Sequence, residues 1–183
     1  MVVALRSRGT RGSTAPGVPA GVASGDVIIV VVDCNLLVGG TSPSSSGFSL
    51  PGIGSSSGTT GRSVAYLGKT ASGADAGSYT VTAPASGSIA ASEAYSFTGA
   101  TLTGAQVNVV GASGGSTATP GVSLSGLTSG DYLVWAFVTS GGSVTTTFPG
   151  GWTEISATSS SIMHVAGQTS SGGSTGSLTT TMS

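Results

Sequence analysis

Short apolar runs alternate with clusters of Gly, Ser, Thr and Pro along the whole chain. The run VIIVVV at 27–32 is the longest apolar stretch and ends at Asp33. Elsewhere the pattern has period two: Ser78-Tyr79-Thr80-Val81-Thr82 puts Tyr79 and Val81 on one face. This patterning predicts strands near 2–8, 26–33, 62–69, 78–83, 89–98, 105–110, 130–139, 144–148, 152–156, 161–166 and 177–182. The clusters between them carry turn chemistry. No window sustains a 3.6-residue period, and a Gly or Ser every few positions would break a helix. Many short strands with frequent turns predict a sandwich or a closed roll.

The two halves of the chain repeat. GSTA at 12–15 recurs at 115–118, and Pro16-Gly17-Val18 recurs as Pro120-Gly121-Val122. Ser24-Gly25-Asp26 opens VIIVVV, as Ser129-Gly130-Asp131 opens YLVWAFV. LPGI at 50–53 corresponds to FPGGW at 148–152, and GKTASGADAGSYTVT at 68–82 aligns without a gap to GQTSSGGSTGSLTTT at 167–181. Five matches in the same order, at offsets between 98 and 105 residues, identify an internal duplication of about 2–101 and 105–183.

Composition narrows the function classes. Charged residues are 6% of 183, against about 25% in ordinary proteins, and the net charge is −1. No strong field exists to attract nucleic acid or an anionic membrane. Low charge with a positive mean hydropathy argues against disorder, and no apolar run reaches the length of a membrane-spanning helix. A surface this poor in charge and rich in Ser and Thr suits burial in a large assembly. The single Cys34 excludes an internal disulfide and reads as a small buried hydrophobe. No signal-peptide pattern is visible, which predicts synthesis in a cytoplasm.

Candidate chemistry dissolves on inspection. Gly68-Lys69-Thr70 has the closing letters of a phosphate-binding loop, but Ser63 stands where the loop needs its first Gly, a Gly-rich turn follows instead of a helix, and the repeat has Gln168 for the Lys. G-x-S-x-G occurs at 54–58, 111–115 and 172–176 without the following helix a nucleophile elbow requires. His164 sits in an alternating strand with no acid placed near it in sequence. One His and one Cys cannot form a typical zinc site, and Asp75 stands alone in its turn. Asp26 and Asp131 occupy equivalent positions after Gly, where an Asp side chain accepts local backbone N–H groups. The expectation is therefore no catalytic residue, no cofactor, no metal and no enzymatic activity. Trp135 is expected to fill the core. Trp152 and Tyr66 are the candidates for a glycan-facing surface. Arg6, Arg8 and Arg11, three of the five basic residues, are the candidates for docking onto a partner.

The ordered set PAGVASGDVIIVVV, PGGWTEI, a strand ending in G-[KQ]-T, YTVT and ASEAYSFTGA resembles small Gly-, Ser- and Thr-rich jelly-roll virion proteins of tailed bacteriophages, the minor capsid, minor tail and decoration proteins. The resemblance runs from about 16 to 182. It implies a non-enzymatic structural role on the virion, with assembly in the host cytoplasm as trimers or many copies among other virion proteins. The chain departs from the pattern in having a clean P-G-x-W only in its second half.

The expected fold is an all-β, antiparallel jelly-roll β-sandwich: an N-terminal arm over 1–15, then one domain over 16–183 in which both repeats share a core. A carbohydrate-binding or adhesin module of the same fold, directed at host-surface glycan, is the alternative function. In repeat one, APASGSIAASEAYSFTGA follows the strand at 78–83, whereas repeat two stops at LTTTMS. The missing counterpart predicts an open strand edge. Either the segment VVALRS covers it within the chain, or a neighbouring subunit does. The Arg-bearing arm favours the second, so the expectation is a homo-oligomer, a trimer, with residues 2–11 on another chain.

Overall fold

The computed structural model describes residues 2–36, 42–54, 62–85, 87–102, 123–139, 145–156 and 163–182. Ten strands lie among the described residues: β1 (Ala4–Arg8), β2 (Val27–Leu36), β3 (Ser49–Gly54), β4 (Arg62–Thr70), β5 (Gly87–Thr98), β6 (Ser125–Val138), β7 (Thr146–Thr147), β8 (Thr153–Glu154), β9 (Met163–Ser174) and β10 (Thr181–Met182). No helix occurs among the described residues. Every strand pair is antiparallel. A five-stranded sheet has the order β1-β5-β2-β4-β3, and a three-stranded sheet the order β6-β9-β8; β7 and β10 form a small ribbon.

The hairpins that carry the repeated motifs share one geometry. In the β2/β4 hairpin Val27 faces Thr70, Ile29 faces Gly68 and Val31 faces Tyr66. In the β6/β9 hairpin Tyr132 faces Thr169, Val134 faces Gly167 and Ala136 faces Val165. Equivalent residues therefore pair in identical register. The two S-G-D turns are equivalent too, the first just before β2 and the second at the register shift within β6 between Ser129 and Tyr132. Gly25 and Gly130 adopt φ of 89° and 97°, which L-residues with a Cβ rarely reach. The Asp26 carboxylate accepts from the Ala23 N–H at 2.9 Å, and Asp131 from the Thr128 N–H at 2.8 Å.

Alternation along β2 sorts its side chains into two cores. Ile28, Val30, Val32 and Cys34 point to one side, where Ala65, Leu67, Tyr79 and Val81 join them under the loops bearing Val18, Val22 and Phe48. Tyr79 and Val81 are buried as their alternation predicts, but residues 77–82 are tied to Pro16 and Thr14 by single backbone bonds and isolated bridges rather than a strand ladder. On the other side, Val27, Val31, Val64, Tyr95 and Phe97 of the larger sheet pack with Met163, Val165 and Ile155 of the smaller. Thus the two repeats share an inter-sheet core.

The N-terminal segment is not a projecting arm. β1 pairs with β5, with Leu5 opposite Phe97 and Arg8 opposite Tyr95, so it becomes the edge strand of the larger sheet. β3 was not legible in the pattern, because Pro51 and two glycines interrupt it. The expected strand at 105–110 lies outside the described residues.

A polar staple crosses the inter-sheet core. Glu93, on β5, is fully buried. Arg11 reaches its Oε2 through Nε at 3.1 Å and Nη2 at 2.9 Å, and donates to the Met163 carbonyl of β9 at 3.1 Å. Beside it, Arg8 donates to the Ile155 carbonyl at 3.3 Å and to that of Ser156. Removing one member of a buried pair strands the other, at a cost of about 3–5 kcal/mol. Arg11→Met is expected to destabilise the chain by about that amount in denaturant unfolding, and Arg11→Met with Glu93→Leu to recover most of the loss. Equal losses in the single and double variants would show that the pair is not coupled.

Candidate functional site

The G-K-T stretch lies inside β4, not in a loop. Gly68 is mid-strand, and a Cβ there would meet the Leu102 side chain at 3.0 Å. In the second repeat a Cβ on Gly167 would meet the Tyr132 hydroxyl at 2.4 Å. The shared glycine thus admits a large side chain onto the inter-sheet face in both halves. Lys69 points to the opposite face, where its ammonium pairs with Asp75 and stands 5.1 Å from the Phe48 ring centroid and 4.7 Å from that of Tyr79. Phe48 and Tyr79 meet edge to face at 5.1 Å. The motif is a packing and cation–π device, with no backbone cradle for phosphate.

Arg6, Arg8 and Arg11 all have partners within the chain. Arg6 grips Asp26 through Nε at 2.7 Å and Nη2 at 3.2 Å, while Arg8 and Arg11 form the inter-sheet staple. Sequence reasoning missed these destinations because Glu93 and Met163 are 82 and 152 residues from Arg11. The Arg6–Asp26 pair lines an open cleft with Ser24, Gly25, Thr98 and Thr101.

Tyr66 and Trp152 are not brought together. Tyr66 packs in the inter-sheet core, and its hydroxyl accepts the Ala136 N–H of β6 at 3.0 Å. Burial pushes the phenol up to about 12, against the opposing effect of that N–H. Trp152 is half-buried and meets Trp135 edge to face at 5.4 Å. Trp135 in turn contacts Phe148 and Phe137. Since Tyr132, Val134, Ala136 and Val138 face the shared core, alternation places Trp135, which is buried as expected, and its cluster on the opposite face of the smaller sheet. The two aromatics therefore cannot line one groove.

The structure does assemble one constellation that spacing concealed. His164 is fully buried, stacked on Phe137 at 5.1 Å, with Nδ1 3.1 Å from Glu154 Oε1. Ser156 Oγ donates to the same carboxylate oxygen at 2.8 Å. In a nucleophilic triad the hydroxyl bonds the imidazole and the acid orients it. Here the Ser addresses the acid, and His164 Nε2 has no hydrogen-bond partner. The geometry gives the hydroxyl no base. Among the described residues no group of three or more His, Cys, Asp or Glu could hold a metal ion, and no helix is long and apolar enough to cross a membrane. Burial, with Asp33 adding a like charge, pushes the Cys34 thiol up to about 11, which keeps it protonated and unreactive at neutral pH.

Two carboxylates set an acid limit. For Asp26, burial acts to raise the pKa, but the Ala23 N–H and Arg6 outweigh it and hold it below the ordinary value. For Asp75, burial is likewise outweighed by Lys69 and the Ser72 N–H. A folded-state pKa below the unfolded one contributes stability that is present above the unfolded value, about 3.9, and is lost as pH falls through the folded value. Unfolding free energy is expected to decline below about pH 4. Asp26→Asn and Asp75→Asn, less stable at neutral pH, should each flatten that decline in denaturant titrations across pH. An unchanged slope in both would remove these pairs as its cause.

No protein-family model, curated protein or solved structure matches this chain.

Proposed function

We propose that the chain is a non-enzymatic structural component of a tailed-bacteriophage virion, a jelly-roll protein that decorates the capsid or tail surface and assembles with itself and other virion proteins. One observation carries this. The motifs behind the sequence resemblance, S-G-D just ahead of the regular ladder and G-[KQ]-T within the facing strand, occupy matching positions in two hairpins of identical register. Their polar groups serve turns and packing, and their glycines admit core side chains. The same motifs would be expected of a scaffold rather than of a reaction centre. Low charge supports the same reading, since Lys69, Arg6 and Arg11 are taken up by carboxylates of their own chain. The glycan-binding alternative is weaker, because Tyr66 and Trp152 occupy opposite faces of the smaller sheet.

Mass spectrometry of purified infectious particles, with image reconstruction, tests the proposal. The expected result is a fixed copy number and density for an all-β unit on the capsid or tail exterior. Absence of the chain from infectious particles would overturn it.

A further inference from the structure

The two hairpins match in register but not in what flanks them. β2 is paired on both sides, with β4 along one edge and with β5 along the other, from Val27 opposite Phe97 to Leu36 opposite Gly87. Its counterpart β6 pairs with β9 alone among the described residues. The strand that β5 provides in the first half has no described equivalent in the second.

The edge of β6 that has no partner among the described residues has a readable polarity. The Ala136 N–H goes to the Tyr66 hydroxyl, so it points away from β9. In an antiparallel strand, residues two apart direct their backbone groups to the same side. Val134 and Val138 therefore also turn N–H and C=O toward the open edge. From Tyr132 to Val138 the pairing with β9 runs without a register shift, leaving a regular edge seven residues long.

The other described edges carry devices that discourage strand pairing. β1 has two arginines and a register irregularity between Leu5 and Ser7. β3 contains Pro51 and a shift between Ser49 and Gly52. β8 is two residues long. Over Tyr132–Val138, β6 has no charged residue, no Pro and no Gly. Its one charge lies earlier, at Asp131, whose carboxylate is turned onto the Thr128 N–H.

We propose that β6 is a strand-pairing surface whose partner is the same strand of a second copy, antiparallel about a two-fold axis. Self-pairing fits because two β6 strands can meet with no like charges opposed, and because an isologous contact closes on itself. The product is a continuous six-stranded sheet, β8-β9-β6 followed by the partner's β6-β9-β8, made by strand addition. Tyr66 is the placeholder: its hydroxyl satisfies one edge N–H in the single chain and yields it to a partner carbonyl. This moves the self-contact expected at residues 2–11 to β6, and makes the closed unit a dimer instead of a trimer.

The test uses the purified full chain, so its outcome is separate from whether the chain is found on particles. Sedimentation across a dilution series is expected to show a species of twice the 17.3 kDa chain mass. Hydrogen exchange should slow at the Val134, Ala136 and Val138 amides as concentration rises. Tyr66→Phe, which removes only the competing hydroxyl, should leave the dimer intact or tighten it. Val134→Pro, which deletes an edge-facing N–H, should return the mass to a monomer. As proline could also unfold the strand, exchange on the unaltered chain decides. A monomer at all concentrations overturns the proposal, whether the edge amides are protected or open. So does a dimer that forms without slowing exchange at these three amides.

Discussion

A carboxylate with no exposed surface sits in the middle of the shared core, and the placement of the N-terminal segment follows from it. Glu93 lies on β5 at the face where the two sheets meet. An ionised group in that position needs a cation and hydrogen bonds, since the effective desolvation cost is several kcal/mol per ion. Arg11 answers with two donors to one oxygen and a third bond to the Met163 carbonyl. To deliver that guanidinium, the chain before it must run along β5, which it does as β1. Gly12 then bridges to Ser92, and its N–H donates to the Ser92 carbonyl at 3.0 Å. Three arginines that look like a charged tail in sequence are consumed in fixing one edge strand and joining two sheets.

The same staple explains how so small-sided a core holds together. Valine, alanine and serine bury little area per residue, and large side chains are few. Two of them are seated on glycines: Leu102 over Gly68, Tyr132 over Gly167. Tyr132 then reaches Phe97 across the interface, ring to ring at 4.9 Å. The shared glycine is therefore a contact requirement, imposed on Gly167 by Tyr132 of the neighbouring strand β6 and on Gly68 by Leu102 of the segment after β5. Read along the chain alone, the same glycine belongs equally well to a nucleotide motif. Only the partner side chain, supplied from elsewhere in the fold, decides between them.

That contrast marks how far the sequence was legible. A continuous apolar run located β2, and shorter apolar patterns between turn clusters located β4, β5, β6 and β9, since these are local properties of the string. The repeat was legible because the matched motifs keep their order and spacing, and those motifs fall at matching positions in the two hairpins. Destinations were not legible. Whether β1 stays with its own chain depends on Glu93, 82 residues further on from Arg11. Ser156, Glu154 and His164 converge because β8 pairs with β9, a register no local pattern announces. Tyr66 and Trp152 looked equivalent as aromatic strand residues, yet the sheet itself stands between them.

The asymmetry between the halves is the last consequence of the duplication. Two copies of one hairpin would be expected to seek the same neighbours, and β2 and β6 do present the same pairing pattern to β4 and β9. Among the described residues they differ on the far edge, where β5, which carries Glu93, flanks β2 and no strand flanks β6. The strand that completes the first half is also the strand that brings the buried charge. Completing one repeat and stapling it to the other are thus a single structural act. Were β6 given an equivalent strand with its own acid, the core would hold a second carboxylate and need a second arginine from a second edge strand. With 6% charged residues in the whole chain, and the described basic side chains already engaged, such a symmetric core has no cation to support it. The strand pairing on β6 must then be of a different kind from that on β2: uncharged, backbone-directed and compatible with an identical strand.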